Sequence, residues 1–291
     1  MIRIKSDPDS FCTRMYFCGL RIFKIKKFKK LLEHYRVVSA ELKLCKKIIK
    51  QCRLNTCVPA YGDARHVQIV CLNLLKKITA IAAANNIMYW LDFGTLIGAV
   101  RHHGFVPWDD DIDISLMRSD LVRLIPLLKA EFVNSDFFVR ESCSKYFQVR
   151  IQNADNSIGV DLFPVDIIAR QVTDVDTDEM LIRKIKKCRS VLEKSIKRHH
   201  NDIERVRKQI LSIYGEYLNV TDHPYEGCKL FYGIDYPVCF DHPENGGLIR
   251  ECDLFPLKQL AFEDATFIVP NNYERHLQNL YGNINQFPIA D

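Results

Sequence analysis

The chain contains no C-x-x-C pair, no uncharged apolar run of about 18 residues, no internal repeat and no low-complexity tract. The eleven cysteines are odd in number and irregularly spaced, so they read as reduced thiols rather than a disulfide framework. Cys228, Cys239 and Cys252, with His223 and His242, are the one group with zinc-type ligands, and they lack the tight pairs of structural zinc sites. With no spanning run, no transmembrane helix is expected. The first twenty residues carry charges throughout and lack the apolar stretch of a signal peptide, so a cytoplasmic protein is expected. Glycine (12) and proline (11) are sparse while 47% of residues are apolar, which excludes a fibrous repeat and wholesale disorder.

What is present is a 291-residue chain, enough for one large domain or two small ones, with an uneven charge. Residues 21–50 carry +9 and residues 183–210 carry +8, so with a total of +5 the remainder stands at −12. Basic blocks around an acidic remainder suit anionic partners outside and a cation inside, and they equally suit two wetted helices.

Along the chain, residues 20–52 read as a helix with a partial apolar stripe (Leu20, Phe23, Ile25, Phe28, Leu31) and basic remaining faces. Such a helix packs in the protein or lies on an anionic membrane surface. After a break at Asn55–Asp63, the spacing of Val67, Val70, Cys71, Leu74, Ile78 and Ile81 predicts an amphipathic helix over 65–87, with Asp63 as cap. A strand-like run, 89–93, passes through Gly94-Thr95 into a helix start, and a loop follows at 102–108. Asp109–Met117 then reads as a strand entered from an acidic loop. A helix then spans about 119–132, capped by Ser119 or Asp120 and strained by Pro126. Strands are expected at 137–140, 146–151 and 158–166, a long basic helical region at 176–217 interrupted near Gly215, a hairpin at 254–270, and a closing helix over Tyr273–Tyr281 ending at Gly282.

The chemistry concentrates in two places. If 109–113 is extended, Asp109, Asp111 and Asp113 share a face, where three carboxylates repel one another unless a hard divalent cation meets them. Asp110 then faces away, and Ile112 and Ile114 point to the core. Asp161 lies between apolar neighbours on a central strand, a costly place for a carboxylate without a metal or partner. A glycine followed by a helix start, at Gly94-Thr95, lets backbone N–H groups approach phosphate. Arg101 lies beyond that turn and either grips donor charge or sits on the helix surface. Trp108 either stacks on a base or sugar or braces the aspartate loop.

Phe93-Gly94-Thr95-Leu96-Ile97-Gly98-Ala99-Val100-Arg101-His102, then Gly104-Phe105-Val106-Pro107-Trp108-Asp109-Asp110-Asp111-Ile112-Asp113, closely resembles the LicD family. Val160-Asp161-Leu162-Phe163-Pro164-Val165-Asp166 and the tail Phe262, Pro270, Tyr281-Gly282 and Pro288 are similar to it as well. The resemblance runs from about residue 66 to the end. It implies an α+β fold, a nucleotidyltransferase-like mixed sheet flanked by helices, over 63–291, leaving 1–62 as a basic helical extension. It also implies transfer of a phospho-alcohol (phosphocholine foremost, ribitol or glycerol phosphate otherwise) from a CDP-activated donor to a cell-surface glycan or lipid-linked polysaccharide. Asp109, Asp111 and Asp113 would hold Mg²⁺, with Mn²⁺ as the alternative ion. Gly94 and Thr95 would contact donor phosphate, and Asp161 would join Asp111 and Asp113 as a catalytic carboxylate. The basic blocks would then touch the anionic inner face of the cytoplasmic membrane.

Two other readings compete. A nucleotide-sugar glycosyltransferase could use Asp111-Ile112-Asp113, but it leaves the Gly94-Thr95 turn unexplained. A nucleic-acid-binding protein could use the basic helices, but clustered aspartates repel phosphate, so no nucleic acid is expected.

Overall fold

The computed structural model describes strands at 2–6, 13–17 and 20–25, a helical turn at 37–39, and residues 58–143, 147–169, 177–199, 202–235 and 248–285. The chain divides into two compact units: Met1–Thr56 with Gln286–Asp291, and Cys57–Asn285.

In the first unit, β1 (Ile2–Ser6), β2 (Thr13–Phe17) and β3 (Leu20–Ile25) form an antiparallel sheet in the order β1-β2-β3. This corrects the expected helix over 20–52 at its start. Leu20–Ile25 is rich in β-branched and aromatic residues (Ile22, Phe23, Ile25), and only two residues separate it from a partner strand of matching length. A one-dimensional apolar stripe does not reveal such a partner. The turn at 37–39 is helical, and the rest of the expected basic helix lies outside the described residues.

The second unit is built on an eight-stranded sheet whose central path is β11-β10-β8-β5-β4. These strands are β4 (Trp90–Leu91), β5 (Ile112–Met117), β8 (Gly159–Ile168), β10 (Lys229–Tyr232) and β11 (Leu248–Arg250). β6 (Phe137–Cys143) and β7 (Phe147–Asn153) add a hairpin against the first half of β8, and β9 (Val220–Thr221) pairs with its end. β5 and β8 run parallel, while the other pairs in this sheet are antiparallel, so the sheet is mixed. β8 is buried along its whole length, as expected of a strand flanked on both edges and covered on both faces.

Alternation sorts the two faces. Ile112, Ile114, Leu116, Val160 and Leu162 join the larger core. Helices packed into it include α1 (Gly62–Ala84), α3 (Arg118–Glu131), α4 (Asp178–Arg198) and α5 (Ile203–Tyr217). Met117, Phe163, Val165 and Ile167 join a smaller core on the opposite face, with Trp90, Phe93, Tyr232 and Ile249. Asp113, Ser115 and Asp161 share that second face by the two-residue period of the strands.

α1 is the one helix among the described residues long and apolar enough to cross a membrane. Leu72, Leu75 and Ile78 are buried in the larger core, while Lys76 and Lys77 pair with Asp264 and Glu131 at 2.6 and 2.7 Å. Its N-cap is Tyr61 without a side-chain bond; Asp63 lies in the first turn, where its charge complements the helix dipole. α3 likewise starts without a side-chain cap, because β5 runs directly into it at Met117. Asp120 instead accepts from Met88 N at 3.1 Å. Pro126 does not end α3: the carbonyl that loses its partner belongs to Val122, on the exposed side. In the basic region α4 ends at Arg198 and Asp202 caps α5 through Arg205 N at 3.0 Å, while Gly215, with open space around it, lies within α5. The rest of the unit is α2 (Phe93–His102), α6 (Glu251–Leu254), the hairpin β12 (Lys258–Phe262) with β13 (Ala265–Val269), and α7 (Tyr273–Tyr281) ending at Gly282.

Candidate metal centre and donor site

Parallel pairing places Asp113 of β5 opposite Asp161 of β8, and antiparallel pairing places Arg150 of β7 opposite Asp161 on the other edge. Asp111, Asp113 and Asp161 each bring a carboxylate oxygen within 4.8 Å of the other two. Among the described residues this is the one group of three or more His, Cys, Asp or Glu side chains gathered for a metal. Cys228 is buried while His223 and Cys252 are exposed, and Cys239 and His242 lie outside the described residues.

The expected alternation does not extend back to Asp109, because the strand begins at Ile112. Asp109 approaches from the loop. A Cβ placed on Gly94 would lie 2.6 Å from Asp109 Oδ2, so a side chain there would push the Asp109 carboxylate aside. Asp110 is exposed. Burial, then Asp111 and Asp110, push the Asp109 carboxyl up to about 7. Burial, then Asp111 and Asp161, hold Asp113 well above the usual carboxylate range. Burial also raises Asp161, although Arg150 and Gln148 oppose the shift. A hard divalent ion fits this donor set: oxygen ligands only, converging, and held at an electrostatic cost that a cation relieves.

Gly94 and Thr95 begin α2, and both turn toward Asp113. Gly94 N–H donates to Asp113 Oδ2 at 3.3 Å, and Asp113 N–H donates to Thr95 Oγ1 at 2.9 Å. Thr95 is buried, whereas Gly94 is partly open. Arg101 is seven residues further along α2, about 10 Å down the axis at 1.5 Å per residue. There its guanidinium donates to the Ile284 carbonyl and to His102 Nε2. Trp108 is half exposed on the loop before Asp109.

Three supports were not legible beforehand. Asp92 caps α2 from a fully buried position. It accepts from Phe93 N (2.9 Å), Trp90 Nε1 (3.1 Å), Ser115 Oγ (2.6 Å) and Tyr232 OH (2.8 Å), with His276 Nε2 2.9 Å away. Burial alone would raise its carboxyl, but His276, Ser115 and Tyr232 outweigh that and hold it low. Phe93 takes φ +46°, a strained value for a side-chain-bearing residue, and is packed between Phe163 and Tyr232. Glu263, on the turn between β12 and β13, accepts a forked pair from Arg65 (2.9 and 2.6 Å) and Phe105 N–H (3.1 Å), fixing the loop at 103–106. Gln68 of α1 donates to the Asp109 carbonyl at 2.9 Å. The third is Arg150, which donates to Asp161 Oδ2 and lies 3.4 Å from Asp111 Oδ2, while Gln148 Nε2 takes Asp161 Oδ1 at 2.7 Å.

Residues 86–197, which contain all three clustered aspartates, match the LicD/FKTN/FKRP nucleotidyltransferase domain. Over these residues the chain is similar to the LicD family. The LicD lipopolysaccharide cholinephosphotransferase of Haemophilus influenzae is 49% identical over 61 residues, 21% of this chain and 23% of that protein. The ribitol 5-phosphate transferase FKRP of Homo sapiens is 32% identical over 115 residues, 36% of this chain and 23% of that protein. The chain thus matches about a quarter of the length of these relatives. The solution structure of the antibiotic-resistance factor ANT(2'')-Ia covers 51% of this chain and 95% of its own, at 15% identity and a TM-score of 0.25, which adds nothing to the fold assignment.

Proposed function

We propose that residues 63–291 are a Mg²⁺-dependent phosphotransferase that moves a phospho-alcohol from a CDP-activated donor to a hydroxyl of a glycan or lipid-linked glycan. The observation that carries this reading is the convergence of Asp111, Asp113 and Asp161 beside the start of α2. The LicD and FKRP relatives, named for cholinephosphate and ribitol 5-phosphate transfer, support the substrate class. Phosphocholine is our first choice of cargo, on the higher local identity to LicD.

In this reading Asp111, Asp113 and Asp161 hold the ion. A bound ion neutralises pyrophosphate charge and lowers the pKa of an attacking hydroxyl. The chain's own residues supply the rest. Gly94 leaves the approach to Asp113 free of a side chain, and the α2 N-terminus presents its positive end to the donor. A carboxylate of the cluster takes the acceptor proton. Asp92 and Thr95 keep α2 in register with β5. The exposed basic side chains of α4 and α5, among them Lys186, Lys194, Lys197 and Lys208, suit peripheral contact with an anionic membrane presenting a lipid-linked acceptor.

The test offers CDP-choline, CDP-ribitol, CDP-glycerol and UDP-sugars separately and follows nucleotide release. CMP from one CDP-alcohol, absent with Asp111→Asn, is the expected result; UDP release alone sinks the reading. Pelleting with anionic vesicles, intact chain against the Lys186→Glu, Lys194→Glu, Lys197→Glu variant, tests the membrane contact: weaker pelleting of the variant is expected, and equal pelleting sinks it.

A further inference from the structure

Arg150 of β7 lies beside the aspartate cluster. Its guanidinium stands on the rung of Asp161 and reaches across to Asp111, two of the three clustered carboxylates. The space it fills is left by a missing side chain: a Cβ on Gly159 would come within 2.2–2.5 Å of Arg150 Nε, Cζ and Nη2. Its contacts with the two carboxylates run through Nη1 alone, and its Nε–H is buried with no hydrogen-bond partner. A guanidinium has five donors in a planar fork that matches phosphate oxygens, and a buried orphan donor is costly unless something completes it. Meanwhile both oxygens of Asp161 are engaged, one by Arg150 and the other by Gln148, so any cation at this carboxylate competes with a charge already there. Arg101, the sequence-level candidate for donor charge, is held at the Ile284 carbonyl instead.

We propose that Arg150 is the donor-phosphate residue of the site, held on Asp161 and Asp111 as a built-in counter-cation until metal and donor arrive. This rests on the phosphotransferase reading above. It makes two opposite demands. As counter-cation, Arg150 weakens metal binding; as phosphate ligand, it strengthens nucleotide binding. A residue that merely braces Asp161 would move both in one direction.

The experiment uses the full chain and two probes: Mn²⁺ alone, followed by the loss of its free-ion electron paramagnetic resonance signal, and labelled CDP at saturating Mg²⁺, followed by equilibrium dialysis. Arg150→Met is expected to bind Mn²⁺ about tenfold more tightly and CDP about tenfold more weakly. Mn²⁺ bound equally or more weakly by the folded variant, or CDP unaffected, overturns the proposal. If Arg150→Met does not fold, Arg150→Gln carries the same two expectations. Arg150→Lys keeps the charge without the fork, so its Mn²⁺ affinity stays within about twofold of wild type while CDP binding still weakens; tighter Mn²⁺ binding by the lysine variant also overturns it. Failure of the underlying reading looks different: the unaltered chain then binds no Mn²⁺, or binds it undiminished after Asp111→Asn.

Discussion

Asp113 and Asp161 stand on the same rung of the parallel β5–β8 pair, and both carboxyls are held above the usual range by burial. Without a metal ion this rung is only partly compensated, by Arg150 on Asp161. Asp113→Asn removes one of the facing charges and leaves a side chain of the same shape. The metal-free variant is expected to melt about 2–4 °C higher, the shift of about 1 kcal/mol in a domain of this size, while transfer activity falls by more than about 100-fold, beyond the loss typical of outer-shell partners. Thermal melts in EDTA and the CMP-release assay read both numbers; a lower melting point with activity retained would contradict the assignment.

Two glycines on α2 separate function from packing. A Cβ on Gly94 meets the tip of the Asp109 side chain, which can swing aside, whereas a Cβ on Gly98 meets the Gly104 carbonyl at 2.4 Å and must displace backbone. Gly94→Ala should therefore fold normally and lose Mn²⁺ and CDP affinity. Gly98→Ala should lose about 1–3 kcal/mol of stability, the cost of overpacking. Urea unfolding followed by circular dichroism separates them, and equal stability loss in both would refute the distinction.

Asp92 gathers four donors and a histidine in a fully buried place. Asp92→Ala deletes the α2 cap and takes this acceptor away from Trp90 Nε1, Ser115 Oγ and Tyr232 OH. A loss of about 3–5 kcal/mol is expected, as for other broken buried networks. A change below about 0.5 kcal/mol, the ordinary surface range, would mean the network is dispensable.

Glu263 gives a pH dependence whose sign is fixed. Its hydrogen bonds with Arg65 hold its carboxyl below the ordinary value. A depressed acid contributes stability that is complete above its unfolded value of about 4.3 and is lost as pH falls through the lower folded value. The stability gap between wild type and Glu263→Gln should therefore be flat from pH 8 to 5 and close below about pH 4. A gap that widens on acidification would exclude the ion pair as its source.

The local chemistry was legible where it lay in one stretch. Asp111-Ile112-Asp113 announces itself because apolar and acidic residues alternate on one strand, and Asp161 does so because an acid interrupts an apolar run. Arg150 was not, since Val149-Arg150-Ile151 looks like any half-exposed strand until the register with β8 is known. Asp92 read as a strand residue because nothing local marks it as a cap reached by Tyr232 and His276. Asp109 was placed by a periodicity that starts only at Ile112. Leu20–Ile25 reads as a helix because Arg21 and Lys24 among apolar residues satisfy either period over so short a span.

The clamp of Glu263 on Arg65 and Phe105 spans 198 and 158 residues of sequence. During synthesis, the loop leading to the metal-binding aspartates emerges long before the hairpin that seats it. A growing chain therefore carries that loop unclamped until the β12–β13 turn has left the ribosome.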